Sequence, residues 1–246
     1  MAGIASIAPL VLFDLDGTLV DSAPDLELAM NRYLAEQSLP AVESLAFRRT
    51  VSQGGRAMLR LSFADEDDDA LGLRLPRFLS IYADSIAERS GLFDGMREVL
   101  DAIHAAGSRW GIVSNKPFAL AEKLVSALGL DGECAVLLGG DSLPTRKPDP
   151  EPLRVACERV GVRVQDAVYV GDDRRDIDAA RAAPMPSLAA AWGYRLVGDD
   201  IIAWGADHIV SQPLDLLRDG RLAVAAADFA SESQVSAVIP AKAGTR

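Results

Sequence analysis

Short apolar runs and longer amphipathic segments alternate along much of the chain. The apolar runs are four or five residues long, which is typical of strands that are buried on both faces. They lie at residues 11–15, 110–113, 135–138, 167–170 and 187–191, with a last short run at 209–210. The segments between the later runs repeat apolar residues every three or four positions, which predicts helices. This alternation predicts an α/β fold with a doubly wound parallel sheet.

The alternation is interrupted over residues 21–91, where helical periodicity continues without a strand pattern. The predicted helices are 25–36, 45–60 (broken at 53–55) and 73–89. An acidic run at 65–69 predicts a solvated turn between two of them. We therefore predict that residues 1–20 and 92–219 form the core and that 21–91 are a helical insertion after the first strand.

The final residues, 220–246, are rich in Ala and Ser and have no clear apolar period. This composition predicts a mobile C-terminal tail.

The composition excludes several classes of protein. Hydrophobic residues make up 49% of the 246-residue chain, enough for a sizeable core, and the formal net charge is −11. An excess of acidic residues argues against binding to nucleic acid or to an anionic membrane surface. Two cysteines, too few for a disulfide scaffold, and the absence of an apolar run of membrane-spanning length predict a cytoplasmic protein. An anionic substrate would then require local positive charge at its site.

Two carboxylates, Asp14 and Asp16, lie at the carboxyl end of the first predicted strand. In open α/β sheets, ligands bind at the carboxyl ends of the strands. Two acids at this position are typical of a metal site, of a nucleophile with its proton-transfer partner, or of both. The structural alternative is a polar strand end that leads into an Asp-Gly turn.

Further polar groups follow other predicted strands. Ser114 and Asn115 follow one of them, Asp172 follows another with Asp176 one helical turn later, and a loop between them contributes Lys147. Taken singly, these residues are also typical of a helix cap, a turn and a surface cation. Together at one edge of a sheet, the carboxylates can bind Mg²⁺. The cation and Lys147 can then neutralise a phosphate, whose oxygens accept hydrogen bonds from backbone N–H groups.

Four segments resemble, in their order, the motifs of phosphatases of the haloacid dehalogenase superfamily. The segments are DLDGTL with VDS (14–22), IVSNK (112–116), KPDP (147–150) and VGDDRRD (170–176). The resemblance covers residues 9–218. It implies a Rossmann-like core, an α-helical cap inserted after the first motif, and Mg²⁺ as cofactor.

The resemblance also implies a role for each matching residue. Asp14 would be the nucleophile that forms an aspartyl-phosphate, and Asp16 the general acid and base. Asp14, Asp172 and the backbone carbonyl of Asp16 would bind the metal. The residues that would hold the phosphoryl group are Ser114, Asn115 and Lys147. Because dehalogenation in this superfamily needs neither the second acid nor Mg²⁺, Asp16 favours a phosphatase over a dehalogenase.

Within the superfamily, the chain resembles bacterial phosphoglycolate phosphatases most. The segments VSQGGRAM (51–58) and AAWGY (190–194) are also similar to a sister group that dephosphorylates N-acetylmuramic acid 6-phosphate. Both substrates carry a carboxylate, and Arg56 in the predicted cap is a candidate to bind it. Arg56 as an ordinary polar residue of a cap helix is the alternative.

A non-catalytic phosphoacceptor module would also use an Asp, a Lys and Mg²⁺ in a doubly wound sheet. The predicted insertion and Asp16 argue against that class, because a phosphoacceptor needs neither. We predict instead an enzyme acting on a small phosphorylated metabolite, as a monomer or a homodimer.

Overall fold

The computed structural model describes residues 7–224; residues 1–6 and 225–246, and with them most of the predicted tail, lie outside the described part. The strands are β1 (Leu10–Phe13), β2 (Val20–Asp21), β3 (Gly91–Leu92), β4 (Arg109–Val113), β5 (Cys134–Leu138), β6 (Ala167–Gly171), β7 (Ser187–Ala190) and β8 (His208–Val210). Six of them form one parallel sheet in the order β5-β4-β1-β6-β7-β8. Strand β1 therefore lies between β4 and β6.

Eight α-helices accompany these strands within residues 7–224. They are α1 (Ala23–Glu36), α2 (Ser44–Thr50), α3 (Gly55–Arg60), α4 (Asp68–Asp84), α5 (Met96–Ala105), α6 (Phe118–Ala127), α7 (Glu151–Val160) and α8 (Arg174–Ala182). Short 3₁₀ segments lie at Val51–Gln53, Val164–Asp166, Ile201–Trp204 and Pro213–Leu217. None of these helices combines the length and the apolar composition that a membrane crossing requires.

Both faces of the sheet are buried, which explains the unbroken apolar run of β1. Val11 and Phe13 pack into a cluster that includes residues of α5 and α6, whereas Leu10 and Leu12 pack into a second cluster with α7 and α8. Successive strand residues point to opposite faces, so an all-apolar strand suits a sheet covered by helices on both sides. The predicted α/β class and doubly wound parallel sheet are confirmed.

Helices α1 to α4 form a separate apolar cluster within the predicted insertion. Its largest buried side chains include Phe47, Phe78 and Tyr82. At its base, β2 and β3 pair antiparallel, Val20 with Leu92 and Asp21 with Gly91. This two-stranded ladder pairs the segment that leads from the six-stranded sheet into the insertion with the segment that leads back. Its residues are those at which the predicted insertion begins and ends.

Helix α4 differs from its prediction because it begins at Asp68 and ends at Asp84. The side chain of Asp67 accepts a hydrogen bond from the Ala70 N–H and caps the helix. Acidic residues in a first turn also interact favourably with the helix dipole. The predicted turn at 65–69 is therefore wrong for its last two residues, since they belong to the helix.

Candidate active site

The candidate site lies at the carboxyl ends of the three adjacent strands β4, β1 and β6. Asp14 follows β1, Ser114 follows β4 and Asp172 follows β6. Because parallel strands all end at the same edge, residues from distant parts of the sequence meet there. The structure thus brings together the strand-end residues that the sequence analysis singled out.

The carboxyl groups of Asp14, Asp172 and Asp176 form a buried cluster. One oxygen from each lies within 4.8 Å of the corresponding oxygens of the other two. Burial and the neighbouring charges of Asp14 and Asp176 raise the pKa of Asp172 well above its usual range. Burial, together with Asp14, also raises the pKa of Asp176, to about 6, against the opposing effect of Lys147. The cluster therefore requires either a bound proton or a nearby cation to offset the repulsion between its carboxylates.

Asp172 is fixed by donors from three separate parts of the chain. Its Oδ1 accepts a hydrogen bond from Thr18 Oγ1 at 2.9 Å. Its Oδ2 accepts from Ser52 Oγ at 2.9 Å and from the Tyr194 N–H at 2.8 Å. At Gly17 the backbone lies so close that a Cβ would come within 2.2 Å of Asp172 Oδ2, and its φ of +86° also suits glycine.

Asp176 owes its position to the start of α8. Asp173 precedes the helix and accepts a hydrogen bond from the Arg175 N–H, while Asp176 Oδ2 accepts one from the Asp173 N–H at 3.0 Å. This reciprocal arrangement is a capping box. It leaves Asp176 Oδ1 directed at Lys147.

Lys147 is a buried cation between two of these carboxylates. Its Nζ lies 2.9 Å from Asp14 Oδ1 and 2.7 Å from Asp176 Oδ1, and it donates to Tyr169 Oη at 2.7 Å. Burial by itself would lower the pKa of Lys147, but the charges of Asp14 and Asp176 raise it above its usual value. Lys147 is therefore an ammonium ion at neutral pH.

Asp16 lies apart from the three-carboxylate cluster, with its side chain partly exposed to the cleft. Lys116 Nζ lies 3.0 Å from its Oδ1 and 3.1 Å from its Oδ2, and Ser22 Oγ donates to Oδ1 at 2.5 Å. Burial by itself would lower the pKa of Lys116, but Asp16 and Tyr82 raise it above its usual value. The two acids after β1 thus have different electrostatic surroundings.

Ser114 and Asn115 border the same cleft. The Ser114 hydroxyl is buried and accepts a hydrogen bond from the Lys116 N–H at 3.3 Å, so this N–H already has a partner. The Asn115 side chain donates to the Lys147 carbonyl at 2.9 Å. Asn115 therefore holds the loop that carries Lys147.

A cavity of about 370 Å³ lies between the strand ends and the helical insertion. This volume suits a small-molecule ligand. Its polar lining includes Asp14, Asp16, Ser114, Lys147 and Arg175, and its apolar lining includes Leu26, Val51, Met58, Leu75, Leu79 and Tyr82. The exposed Arg56 of α3 also lines the cavity, with its guanidinium beside Gly72 of α4.

The carboxylate cluster has the donor chemistry for a divalent metal ion. Its ligand atoms are carboxylate oxygens, which hard cations prefer. When all three carboxylates are ionised, the ammonium of Lys147 offsets one of three negative charges. Asp14 Oδ1 is buried and pairs with Lys147 by charge, without a well-aligned hydrogen bond from the described residues. The cluster could therefore hold a metal ion.

Sequence reasoning missed two participants. Asp176 was noted for its spacing but not as a member of the carboxylate cluster, and Lys116 was not singled out. For Asp176, the signal was its spacing of three residues from Asp173, which is typical of a capping box at the start of a helix. For Lys116, the signal was its place two residues after Ser114, on the same strand end. Neither signal by itself indicates which carboxylate the residue contacts.

The family model described as haloacid dehalogenase-like hydrolase matches residues 11–190 of this chain. A phosphoglycolate phosphatase of Xanthomonas campestris pv. campestris is 51% identical over 206 residues, which are 84% of this chain and 93% of the relative. An N-acetylmuramic acid 6-phosphate phosphatase of Pseudomonas putida is 42% identical over 208 residues, with coverage of 84% and 93%.

The fold is also similar to solved structures. A crystal structure described as a predicted phosphoglycolate phosphatase from Haemophilus somnus 129PT superposes with a TM-score of 0.76 at 29% identity. The match covers 85% of this chain and 96% of that one. The chain therefore shares its fold with a solved structure over most of the length of both chains.

Proposed function

The chain belongs to the family of haloacid dehalogenase-like hydrolases, and from this premise we propose that it is a Mg²⁺-dependent phosphomonoesterase. It hydrolyses a small phosphorylated metabolite through an aspartyl-phosphate on Asp14. The observation that carries this proposal is the pairing of Asp14 with Lys147 at 2.9 Å beside two further buried carboxylates. This arrangement combines a nucleophile, a fixed positive charge and a set of metal ligands in one cleft.

The reaction divides between the two acids that follow β1. Asp14 attacks phosphorus in line with the leaving oxygen, and Asp16 donates a proton to that oxygen as it departs. Asp16, ionised by the first step, then accepts a proton from the water that attacks the aspartyl-phosphate, so that inorganic phosphate is released and both Asp14 and the protonated form of Asp16 are regenerated. The ammonium of Lys147 stabilises the charge on the transferring phosphoryl group, and Ser114 holds one of its oxygens.

The metal would be held by Asp14, Asp172 and the backbone carbonyl of Asp16, and Asp176 is the third carboxylate of the same cluster. When bound, Mg²⁺ neutralises the repulsion between an anionic nucleophile and an anionic phosphate. The side chains of Ser52 and Thr18 fix the orientation of the Asp172 carboxyl group in this cluster.

Phosphoglycolate is the first candidate substrate, because relatives at 51% identity are named phosphoglycolate phosphatases. N-acetylmuramic acid 6-phosphate is the second, supported by the relative at 42% identity. Parallel measurements of kcat/KM for both compounds would separate them. Because both candidate substrates are small metabolites, we propose that the enzyme acts in the cytoplasm. We propose separately that it is a monomer or a homodimer.

We propose that Arg56 binds the carboxylate that both candidate substrates carry. Arg56→Met should raise KM for 2-phosphoglycolate about tenfold or more, because a charge-assisted hydrogen bond is lost. The KM for p-nitrophenyl phosphate, which has no carboxylate, should change little. Arg60, an exposed arginine on the same helix, provides the control Arg60→Met. Equal effects on both substrates would show that Arg56 does not bind the carboxylate.

The decisive test of the proposed function is release of inorganic phosphate from p-nitrophenyl phosphate. With Mg²⁺ we expect multiple turnovers, and with EDTA a loss of at least about 10²-fold, since metal removal takes away several kcal/mol of transition-state stabilisation. Readdition of Mg²⁺ should restore the rate. A single stoichiometric phosphorylation would support a phosphoacceptor module instead, and halide release from a haloacid without phosphate release would support a dehalogenase.

A further inference from the structure

Lys116 is a buried cation to which the proposed reaction assigns no step. It lies at the carboxyl end of β4, and its side chain is 5% exposed. Its Nζ contacts both carboxyl oxygens of Asp16, at 3.0 and 3.1 Å. It therefore forms a second ion pair in the site, on the acid that Lys147 does not contact.

The position of the Lys116 ammonium is set from the helical insertion. Tyr82 of α4 is fully buried, and Lys116 Nζ lies 4.4 Å from the centre of its ring. An aromatic face attracts a cation and excludes water from it. The ammonium is thus confined between this ring and the carboxyl group of Asp16.

Asp16 receives a further donor from the base of the insertion. Ser22 immediately precedes α1 and donates from Oγ to Asp16 Oδ1 at 2.5 Å. With Lys116 on both oxygens and Ser22 on one, rotation of the carboxyl group would break several contacts at once. The carboxyl group therefore has one preferred orientation at the edge of the cavity.

We propose that Lys116 is a positioning residue for proton transfer, fixing the carboxyl group of Asp16 toward the leaving oxygen of the substrate. The proposal rests on the proposed function and deepens it. Lys147 serves the phosphoryl group. Lys116 donates to the oxygen of Asp16 that does not carry the proton, so that the protonated oxygen faces the departing alcohol. General acid catalysis requires the acid within hydrogen-bond reach of the leaving atom. Loss of Lys116 then matters most for leaving groups that need a proton.

A lysine in this cleft can position the acid or bind the phosphate, and its loss would affect kcat/KM for different leaving groups differently in the two cases. An alkyl phosphate such as 2-phosphoglycolate loses a strongly basic alkoxide, which must be protonated as it leaves. The nitrophenolate ion delocalises its charge and departs without a proton. A lysine that positions the acid therefore affects kcat/KM for the alkyl ester selectively, whereas a lysine that binds phosphate affects both esters alike.

The experiment measures kcat/KM of Lys116→Met for 2-phosphoglycolate and for p-nitrophenyl phosphate, each with saturating Mg²⁺. We expect a loss of about 10²-fold or more for the alkyl ester and of less than about threefold for the aryl ester. Retained aryl activity also shows that the variant is folded. Lys123→Met is the matched control, because Lys123 is an exposed lysine on α6 that donates to the Ala83 carbonyl.

Equal losses for the two esters in an active enzyme overturn the role of Lys116 and leave the proposed function intact. If Lys116→Met does not fold, Lys116→Arg carries the same test, since it keeps the charge but displaces the donor. It too must lower kcat/KM for the alkyl ester more than for the aryl ester. If the wild-type protein turns over neither ester, the proposed function fails, and the role of Lys116 fails with it.

Discussion

Asp14→Asn should abolish turnover, with kcat for any phosphomonoester falling by at least about 10³-fold. The amide cannot form the aspartyl-phosphate, because it is not a nucleophile at neutral pH, and it also removes an anionic ligand from the metal cluster. The substitution keeps the shape of the side chain at the end of β1, so the cavity stays the same. Release of inorganic phosphate under single- and multiple-turnover conditions measures the loss.

The fold of the Asp14→Asn variant should survive. Asp14 raises the pKa values of Asp172 and Asp176, so its neutralisation relieves repulsion within the cluster while weakening the pair with Lys147. Thermal unfolding in EDTA checks that the variant is folded, and Asp131→Asn, at an exposed position, is the control for an amide substitution. Residual activity above about a hundredth of wild type would refute Asp14 as the nucleophile.

Lys147→Met should destabilise the metal-free protein by about 3–5 kcal/mol at neutral pH, the usual cost of removing one partner of a buried ion pair. Two carboxylates, Asp14 and Asp176, lose their common cation, and the Tyr169 hydroxyl loses its donor. The same change removes a fixed charge from the phosphoryl site, so kcat/KM should fall for aryl and alkyl esters alike. Urea unfolding in EDTA measures the free energy of unfolding.

The destabilisation caused by Lys147→Met should grow with pH. In the wild type the pKa of Asp176 is about 6, and Lys147 lowers it, so the variant has a higher value still. An acid whose folded pKa lies above its unfolded value costs stability as pH rises through that range. Near pH 5, Asp176 is largely protonated in both folded proteins and contributes little to the difference, and the difference grows as the pH rises above 6, where only the wild-type group ionises readily.

A suitable control for this prediction is Lys123→Met, which removes an exposed lysine and should change the free energy of unfolding by less than about 0.5 kcal/mol at either pH. If Lys147→Met were no less stable than this control at pH 8, the buried ion pairs of Lys147 would not contribute to stability as the structure implies. A destabilisation equal at pH 5 and pH 8 would instead contradict the inference that Lys147 lowers the pKa of Asp176.

The sequence by itself determined the fold class and the edge of the sheet that carries the site. A strand that is buried on both faces is apolar along its length, so the uninterrupted apolar residues 11–13 identify a buried strand. Asp14 and Asp16 follow that run, and parallel strands all end at one edge. Local periodicity and the shared direction of the strands therefore suffice to predict that Asp14, Ser114 and Asp172 lie together at one edge of the sheet.

Only the tertiary structure decided which cation faces which acid. Lys147 pairs with Asp14 and Asp176, and Lys116 pairs with Asp16. Sequence spacing cannot distinguish these pairings, because each depends on the rotation of a side chain and on a neighbour from another element. Tyr82 contacts Lys116 from a helix 34 residues earlier in the chain, across the boundary between insertion and sheet. Such contacts form only when the helical insertion packs against the sheet, and no local pattern of residues predicts them.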